Sequence, residues 1–386
     1  MNMALTKDWL YPTAFSIWGP EEYAAIDRVV KSGKFTMGLE VLAFEEEFAT
    51  FHGMKYGVMV NSGSSANLIA VAALFNLAHF PLHRGDPVFV PAIAWSTTYA
   101  PLVQYGLDLH LLDCNETWNA PNSGLDFPFV EDMGLALIVG CSILGNSGYM
   151  SEWAAIASDM GALFIEDNCE SMSALDPDGI RCGTNGIMNT FSFFYSHQIS
   201  AIEGGMILTD DFECYELCRM LRAHGWSRDI KRPQDFDHEY DFHLFGYNVR
   251  PLEIHAAIAR EQLKKYPQHR EQRLANVGLF RRLTEGCNIT HQKLRGSPDP
   301  FGLSFQVDNN QTRAVLAHEL RRKGIDCRLP TGGSFLKHRY GKQWESQQTP
   351  NADLIHDTGM FLGNGALDLS NQIKAAVDVI RDVCGD

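Results

Sequence analysis

Tyr56-Gly-Val-Met-Val60, then Asn61-Ser-Gly-Ser-Ser-Ala-Asn67, then Leu68-Ile-Ala-Val-Ala-Ala-Leu-Phe75 is the stretch whose reading decides the fold. Five residues with no polar alternation read as a strand buried on both faces. The wholly apolar segment after the Gly/Ser loop reads as a buried helix. Glycine and hydroxyl residues at a helix start leave backbone N–H groups free at the positive end of the dipole, which is an anion cradle. An ordinary N-cap would use the same residues, so the cradle needs support from elsewhere in the chain. Further apolar runs follow at 87–92 (PVFVPA), 109–113 (LHLLD), 135–141 (LALIVGC), 162–167 (ALFIED), 190–194 (TFSFF) and 206–210 (MILTD). Their spacing is that of strand–helix units, which predicts an α/β protein with a mostly parallel central sheet covered by helices.

Outward from this region the texture is helical. A periodic face of Tyr23, Ile26, Val29 and Val30 ends at Ser32-Gly33, and a second, with Val41, Phe44, Phe48 and Phe51, ends at Gly53. Residues 251–285 read as one or two long helices. After Gly286 the pattern predicts a strand at 303–307 and helices over 313–323 and 371–383. The division expected is a large α/β domain over 1–260 and a smaller C-terminal α+β domain over 261–386.

The 386 residues carry a formal charge of −15, which argues against nucleic acid or an anionic membrane as partner but permits an anionic small molecule. No apolar stretch is long enough to span a bilayer. The first fifteen residues lack the apolar core of a secretion signal. Nine cysteines without a CxxC pair fit reduced thiols, so a soluble cytoplasmic protein without a metal site is expected. There is no P-loop, no GxGxxG after a strand and no GxSxG elbow. In His238-Glu-Tyr-Asp-Phe-His243 the second histidine comes one position late for a zinc helix, so this reads as a polar loop.

Three more segments join the first. Ile165-Glu-Asp-Asn-Cys-Glu170 closes a buried strand, where open α/β sheets place ligands and where a carboxylate can hold a protonated ring nitrogen. Phe191-Ser-Phe-Phe-Tyr-Ser-His197 runs on to Glu203-Gly-Gly205, and Gly246-Tyr-Asn-Val-Arg-Pro-Leu-Glu253 follows. Together these resemble the DegT/DnrJ/StrS sugar aminotransferases, pyridoxal-phosphate enzymes of the aspartate-aminotransferase fold (type I). The resemblance runs from Phe35-Thr-Met-Gly38 to Phe361-Leu-Gly-Asn364. It implies that Gly63, Ser64 and Ser192 hold the cofactor phosphate. It places Trp95 on the pyridine ring, Asp167 at the ring nitrogen and Glu170 beside the cofactor. It also implies that Asn248 reaches the phosphate of a neighbouring subunit, making a homodimer with shared sites. Met37, Ser196, His224, Arg250 and Arg328 fall on the substrate side.

Residue 197 departs from that pattern. The aminotransferases carry there the lysine that binds the cofactor covalently. This chain has histidine, and no lysine occurs between Lys55 and Lys231. Imidazole cannot replace the amine as a covalent anchor, yet it is a good base near neutral pH. Tyr195-Ser-His197, Arg222-Ala-His-Gly-Trp226 and the Glu170 motif resemble a 3-dehydratase branch of the family. That resemblance implies a C3-dehydratase (deoxygenase) using non-covalently bound pyridoxal or pyridoxamine phosphate. Its substrate would be a nucleotide-linked 4-keto-6-deoxyhexose, GDP-4-keto-6-deoxy-D-mannose first, with glutamate as amino donor and His197 as base, in deoxysugar (O-antigen) biosynthesis. Gln198 stands where the branch has a second histidine, and segments 113–134 and 227–245 are shorter than the family's loops, which leaves the nucleotide open. One alternative is an enzyme like the CDP-4-keto-6-deoxyglucose 3-dehydrases, which need an iron–sulfur cluster. Cys169, Cys182, Cys214 and Cys218 lack ferredoxin-like spacing for one. The other is an inactive cofactor-binding scaffold.

Overall fold

Each of the seven apolar runs is a strand in the computed structural model, which describes residues 9–123, 132–230, 236 and 239–385. They are β1 (Tyr56–Val60), β2 (Pro87–Pro91), β3 (Asp108–Leu112), β4 (Leu137–Cys141), β5 (Leu163–Asp167), β6 (Met188–Ser192) and β7 (Gly205–Thr209), in the order β1-β7-β6-β5-β4-β2-β3. β7 runs antiparallel to both neighbours, and the other pairings are parallel. The carboxyl ends of β1, β2, β4, β5 and β6 therefore share one edge, the edge where such sheets bind ligands. β3 closes the far side and is only partly buried, so the two-sided burial read from its sequence fails there. An edge strand has one neighbour, and little covers its outer side.

The helix Gly63–Leu74 is buried along most of its length and lies across β6 and β7. Its Ala66, Ala70, Ala72 and Ala73 are small enough to let it lie close to the sheet. The helix Leu39–His52 covers the other side, and Pro20–Ser32 packs on the helix Glu253–Leu283; they end at Gly53 and Gly33, both in the left-handed conformation that lets glycine stop a helix.

One helix, Glu253–Leu283, spans 31 residues and runs straight through position 260. Its first half packs Ala256, Ile258, Ala259 and Leu263 against Phe44, Phe48, Phe191 and Phe193. Its far end puts Phe280 into a second core with Leu303, Phe305, Leu320 and Ile373. That core lies on a four-stranded antiparallel sheet of β8 (Ile289–His291), β9 (Gly302–Val307), β10 (Cys327–Arg328) and β11 (Gly359–Gly363), with the helices Asn310–Arg322 and Ser370–Cys384. Tyr11, from the other end of the chain, is buried in this second core, and its hydroxyl donates to the Gly363 carbonyl at 2.7 Å.

Candidate active site

The carboxyl ends of four strands meet around Asp167, the last residue of β5. Its Oδ2 accepts hydrogen bonds from Asn67 Nδ2 (2.8 Å) and Thr98 Oγ1 (2.7 Å), and its Oδ1 from the Cys169 N–H (3.0 Å). Thr190 on β6 donates to Asn67 Oδ1 at 2.6 Å, which turns the Asn67 amide so that its NH2 faces the carboxylate. Holding one strand-end acid this firmly, from three separate elements, is the arrangement expected of a functional carboxylate rather than a simple cap.

Beside it the helix Gly63–Leu74 begins. Ser62 caps it, accepting the Ser65 N–H at 3.1 Å, so Gly63 and Ser64 lead with N–H groups that no helical carbonyl can reach. Ser64 and Thr97 share a hydroxyl hydrogen bond of 2.7 Å. A methyl group on Gly63 would stand 2.6 Å from Ser192 Cβ and 2.7 Å from Cys169 Sγ. Only glycine lets the ends of β1, β5 and β6 close on this point, and that closure brings Gly63, Ser64 and Ser192 into one cradle.

Trp95 leads the next helix, Ser96–Tyr105, and is 56% exposed on the cleft wall that it shares with Thr98, Ser142, Asp167, Cys169, Glu170 and Thr331. An indole left this open offers a face on which a flat ring can stack. Glu170 lies across from it. Its Oε2 accepts from the Leu144 N–H and the Thr331 hydroxyl, both at 2.8 Å. Burial pushes the carboxyl up to about 7, against those two hydrogen bonds and with some help from Asp167.

His197 follows on the loop after β6. Its ring stands edge-on to Phe301 (5.0 Å between centroids) and Phe194 (5.8 Å), and its carbonyl accepts from Arg273 Nη2 at 3.3 Å. Ser196 Oγ is 3.4 Å from Nδ1. Burial, and then the charge of Arg273, push the imidazole down to about 3, so it is neutral at physiological pH. Gln198 ties this loop to the cleft, donating to the carbonyls of Glu170 (2.7 Å) and Asp299 (3.1 Å).

The remaining sequence candidates lie further out. Met37 adjoins the Thr36–Leu252 bridge at the start of the long helix. His224 is exposed and left-handed (φ 68°), with its N–H on the Tyr247 carbonyl. Asn248 accepts from Arg250 Nε at 3.1 Å, and the neighbouring Val249 carbonyl receives the Asn61 N–H, which sets this segment beside the cradle loop. Arg328 is held by Asp326. None of Met37, Ser196, His197, His224, Asn248, Arg250 and Arg328 lines the Trp95–Glu170 cleft; the His197 loop adjoins it through Gln198, which donates to the Glu170 carbonyl. Residues 124–131, 231–235, 237 and 238 of segments 113–134 and 227–245, His238 among them, lie outside the described residues, and His243 pairs with Asp241 at 2.8 Å. Asn67, Thr98, Leu144 and Thr331 were not singled out from the sequence. Asn67 sits inside the Gly/Ser motif quoted above and Thr98 lies three residues beyond Trp95, whereas nothing local marks Leu144 or Thr331.

The sheet order and the cleft define a chain of the DegT/DnrJ/EryC1/StrS aminotransferase family, to which it belongs: the family pattern spans residues 17–379. The chain is 39% identical to GDP-4-keto-6-deoxy-D-mannose 3-dehydratase of Yersinia pseudotuberculosis over 388 positions, covering 96% of this chain and 98% of that one. Two solved structures of an enzyme of that name are similar at 37% identity, each covering 96% of this chain and 100% of the other. One holds a trapped PLP–glutamate geminal diamine (TM-score 0.87), and the other is a histidine-to-asparagine variant with bound GDP-perosamine (TM-score 0.88). The α/β architecture expected from the sequence is thus the pyridoxal-phosphate aminotransferase fold.

Proposed function

We propose that this chain is a pyridoxal/pyridoxamine-phosphate-dependent sugar 3-dehydratase. It is a carbon–oxygen lyase that removes the C3 hydroxyl of GDP-4-keto-6-deoxy-D-mannose, with glutamate as amino donor. The observation that carries this reading is His197, a neutral imidazole on the cleft loop in a chain with no lysine between 55 and 231. The cleft fits the cofactor. The Gly63 cradle, which a Cβ would fill, suits its phosphate with Ser64 and Ser192; Trp95 offers the stacking face; Asp167 suits the ring nitrogen. When bound, the cofactor supplies an amine for the C4 ketone and a conjugated ring that stores an electron pair.

The chain's residues do the rest. Asp167 holds positive charge at the ring nitrogen, and Glu170 lies beside the cofactor. His197 takes up a proton, and without an amine there the cofactor would be held by these non-covalent contacts alone. Ser196, Met37, His224, Arg250 and Arg328 are assigned to the nucleotide-sugar side, and Asn248 to the phosphate in a partner subunit of a cytoplasmic homodimer. No described helix is long and apolar enough to cross a membrane.

The iron–sulfur alternative has less support. Cys214 and Cys218 are packed in the core with Leu217 and Leu221, Cys182 in another with Trp153, and among the described residues no three metal-binding groups converge. The scaffold alternative predicts no change in cofactor absorbance on adding glutamate. The test is incubation of the cofactor-loaded protein with glutamate and GDP-, CDP- or dTDP-linked 4-keto-6-deoxyhexoses, read by mass spectrometry. The expected product is the GDP-ketosugar lighter by one oxygen atom, with one 2-oxoglutarate formed per turnover. An aminosugar product, or an unchanged sugar, overturns the reading.

A further inference from the structure

Two non-glycine residues that touch Glu170 are left-handed. Leu144 (φ 53°, ψ 31°) follows β4, and Thr331 (φ 47°, ψ 29°) lies on the turn after β10. For a β-branched residue such as Thr331 this backbone is a rare, strained choice. Strain of this kind persists where the surroundings fix it, and it concentrates at sites that bind or react. Both residues serve one atom: the Leu144 N–H and the Thr331 hydroxyl each lie 2.8 Å from Glu170 Oε2. Behind Thr331, Gly332 lies against the Trp95 ring, and Gln198 fixes the Glu170 carbonyl. The carboxyl is therefore held by two donors on one oxygen, with its backbone fixed separately, and its other oxygen, Oε1, has no hydrogen-bond partner among the described residues while the side chain lines the cleft.

We propose that Thr331 is a positioning residue of this site: with the Leu144 N–H it clamps one oxygen of Glu170, so that the other presents a proton to a hydroxyl oxygen of the bound ligand. The proposal rests on the cleft being the cofactor and sugar site. The surroundings of Glu170 favour the proton. Asp167 lies three residues away, the thiols of Cys141 and Cys169 are pushed far up and stay neutral, and His197 is uncharged. No cation pairs with the carboxyl among the described residues, and burial pushes it up to about 7. The two donors to Oε2 pull the other way, since a hydrogen bond to the charged form favours it. They keep the proton exchangeable near neutral pH instead of locked on. The ligand oxygen can be the ring hydroxyl of the cofactor or a hydroxyl of the sugar.

Infrared difference spectra of the cofactor-loaded protein against Glu170→Gln isolate the Glu170 carboxyl band, which can be titrated whether or not any sugar turns over. Thr331→Val removes one donor to the charged form, so its midpoint should rise by about one pH unit, and Thr331→Ser should return it to the parent value. If the valine variant does not fold, Thr331→Gly relieves the backbone while still removing the hydroxyl, and the same rise is expected. If the cofactor absorbance titrates with the same midpoint and shifts with it, the oxygen is the cofactor's. If the absorbance stays fixed while kcat falls with the new midpoint and KM for the sugar holds, the oxygen is the sugar's. An unchanged midpoint in the valine or glycine variant, or a Glu170 that is fully ionised at pH 6, overturns the proposal. Either failure leaves the dehydratase reading intact, because that reading stands on the product assay.

Discussion

Burial drives His197 and Glu170 in opposite directions. Low polarity disfavours whichever form is charged, so the imidazole stays neutral, at about 3, and the carboxyl holds its proton up to about 7. Both groups are therefore uncharged near neutral pH; an imidazole at about 3 is free to accept a proton but holds it weakly, so its strength as a base depends on the charge that the bound ligands bring beside it. Phe194 and Phe301 fix the imidazole from two sides. His197→Asn keeps a polar side chain of similar reach but cannot take a proton. Cofactor and GDP-ketosugar should bind within a few-fold of the parent, while deoxygenation falls by about 10²–10⁴-fold, the usual worth of a positioned base. Single-turnover assays beside equilibrium binding check this. Turnover within a few-fold of the parent would place the base elsewhere.

The site belongs to strand ends and helix starts, and that explains what the sequence could show. The Gly63–Leu74 unit, Asp167 at the end of β5 and Ser192 at the end of β6 were legible because each is written in one short stretch: an apolar run, a polar end, then a helix. His197 was legible as the one residue out of pattern. The clamp on Glu170 was not, since Leu144 and Thr331 come from distant parts of the chain and are joined only by folding; a leucine and a threonine carry no local sign of a left-handed backbone. The close approach at Gly63 gives a test at this scale. Gly63→Ala places a carbon 2.6 Å from Ser192 Cβ and 2.7 Å from Cys169 Sγ. The helix start must retreat from β5 and β6, with an overpacking cost of about 1–3 kcal/mol. The protein should still fold, with a lower melting temperature, and should bind pyridoxal phosphate at least about tenfold more weakly, since 1.4 kcal/mol is a factor of ten. Fluorescence titration with the cofactor measures it, and unchanged affinity would remove Gly63 from the phosphate site.

At the scale of the molecule, the helix Glu253–Leu283 joins two cores that the sequence divided near residue 260. One continuous helix serves both cores, and the Tyr11 segment joins the C-terminal core from the opposite end of the chain. Arg273 of this helix reaches both the His197 carbonyl (3.3 Å) and the Asn364 carbonyl (2.7 Å), linking the cleft loop to the segment after β11. Acid should test how firmly this assembly keeps its histidines neutral. His52, buried between the Phe48 and Met172 carbonyls, is pushed by burial to about 4 despite the two hydrogen bonds that favour its charged form. His269 and His291 also lie at about 4, and His197 at about 3. Between roughly pH 6.5 and 4 the unfolded chain binds protons at these positions that the folded chain does not, so stability falls as pH drops through that window. His52 alone is worth about 3 kcal/mol, at about 1.4 kcal/mol per pH unit. Glu170 works in the opposite sense. Protonated in the fold up to about 7 but ionised in the unfolded chain above about 4.5, it contributes stability at low pH that is lost as pH rises through 7. Burial lowers His255 and His356 as well, and raises Glu166 and Glu203 along with Glu170; six histidines against three carboxyls leave acid destabilisation dominant. The melting temperature of the cofactor-free protein should therefore fall steadily from pH 6.5 to 4, and His52→Phe should flatten that slope even where it lowers the melting temperature itself. A parent curve that is level across the window would mean that these rings are protonated in the fold, and the neutral His197 on which the base assignment stands would have to be given up with them.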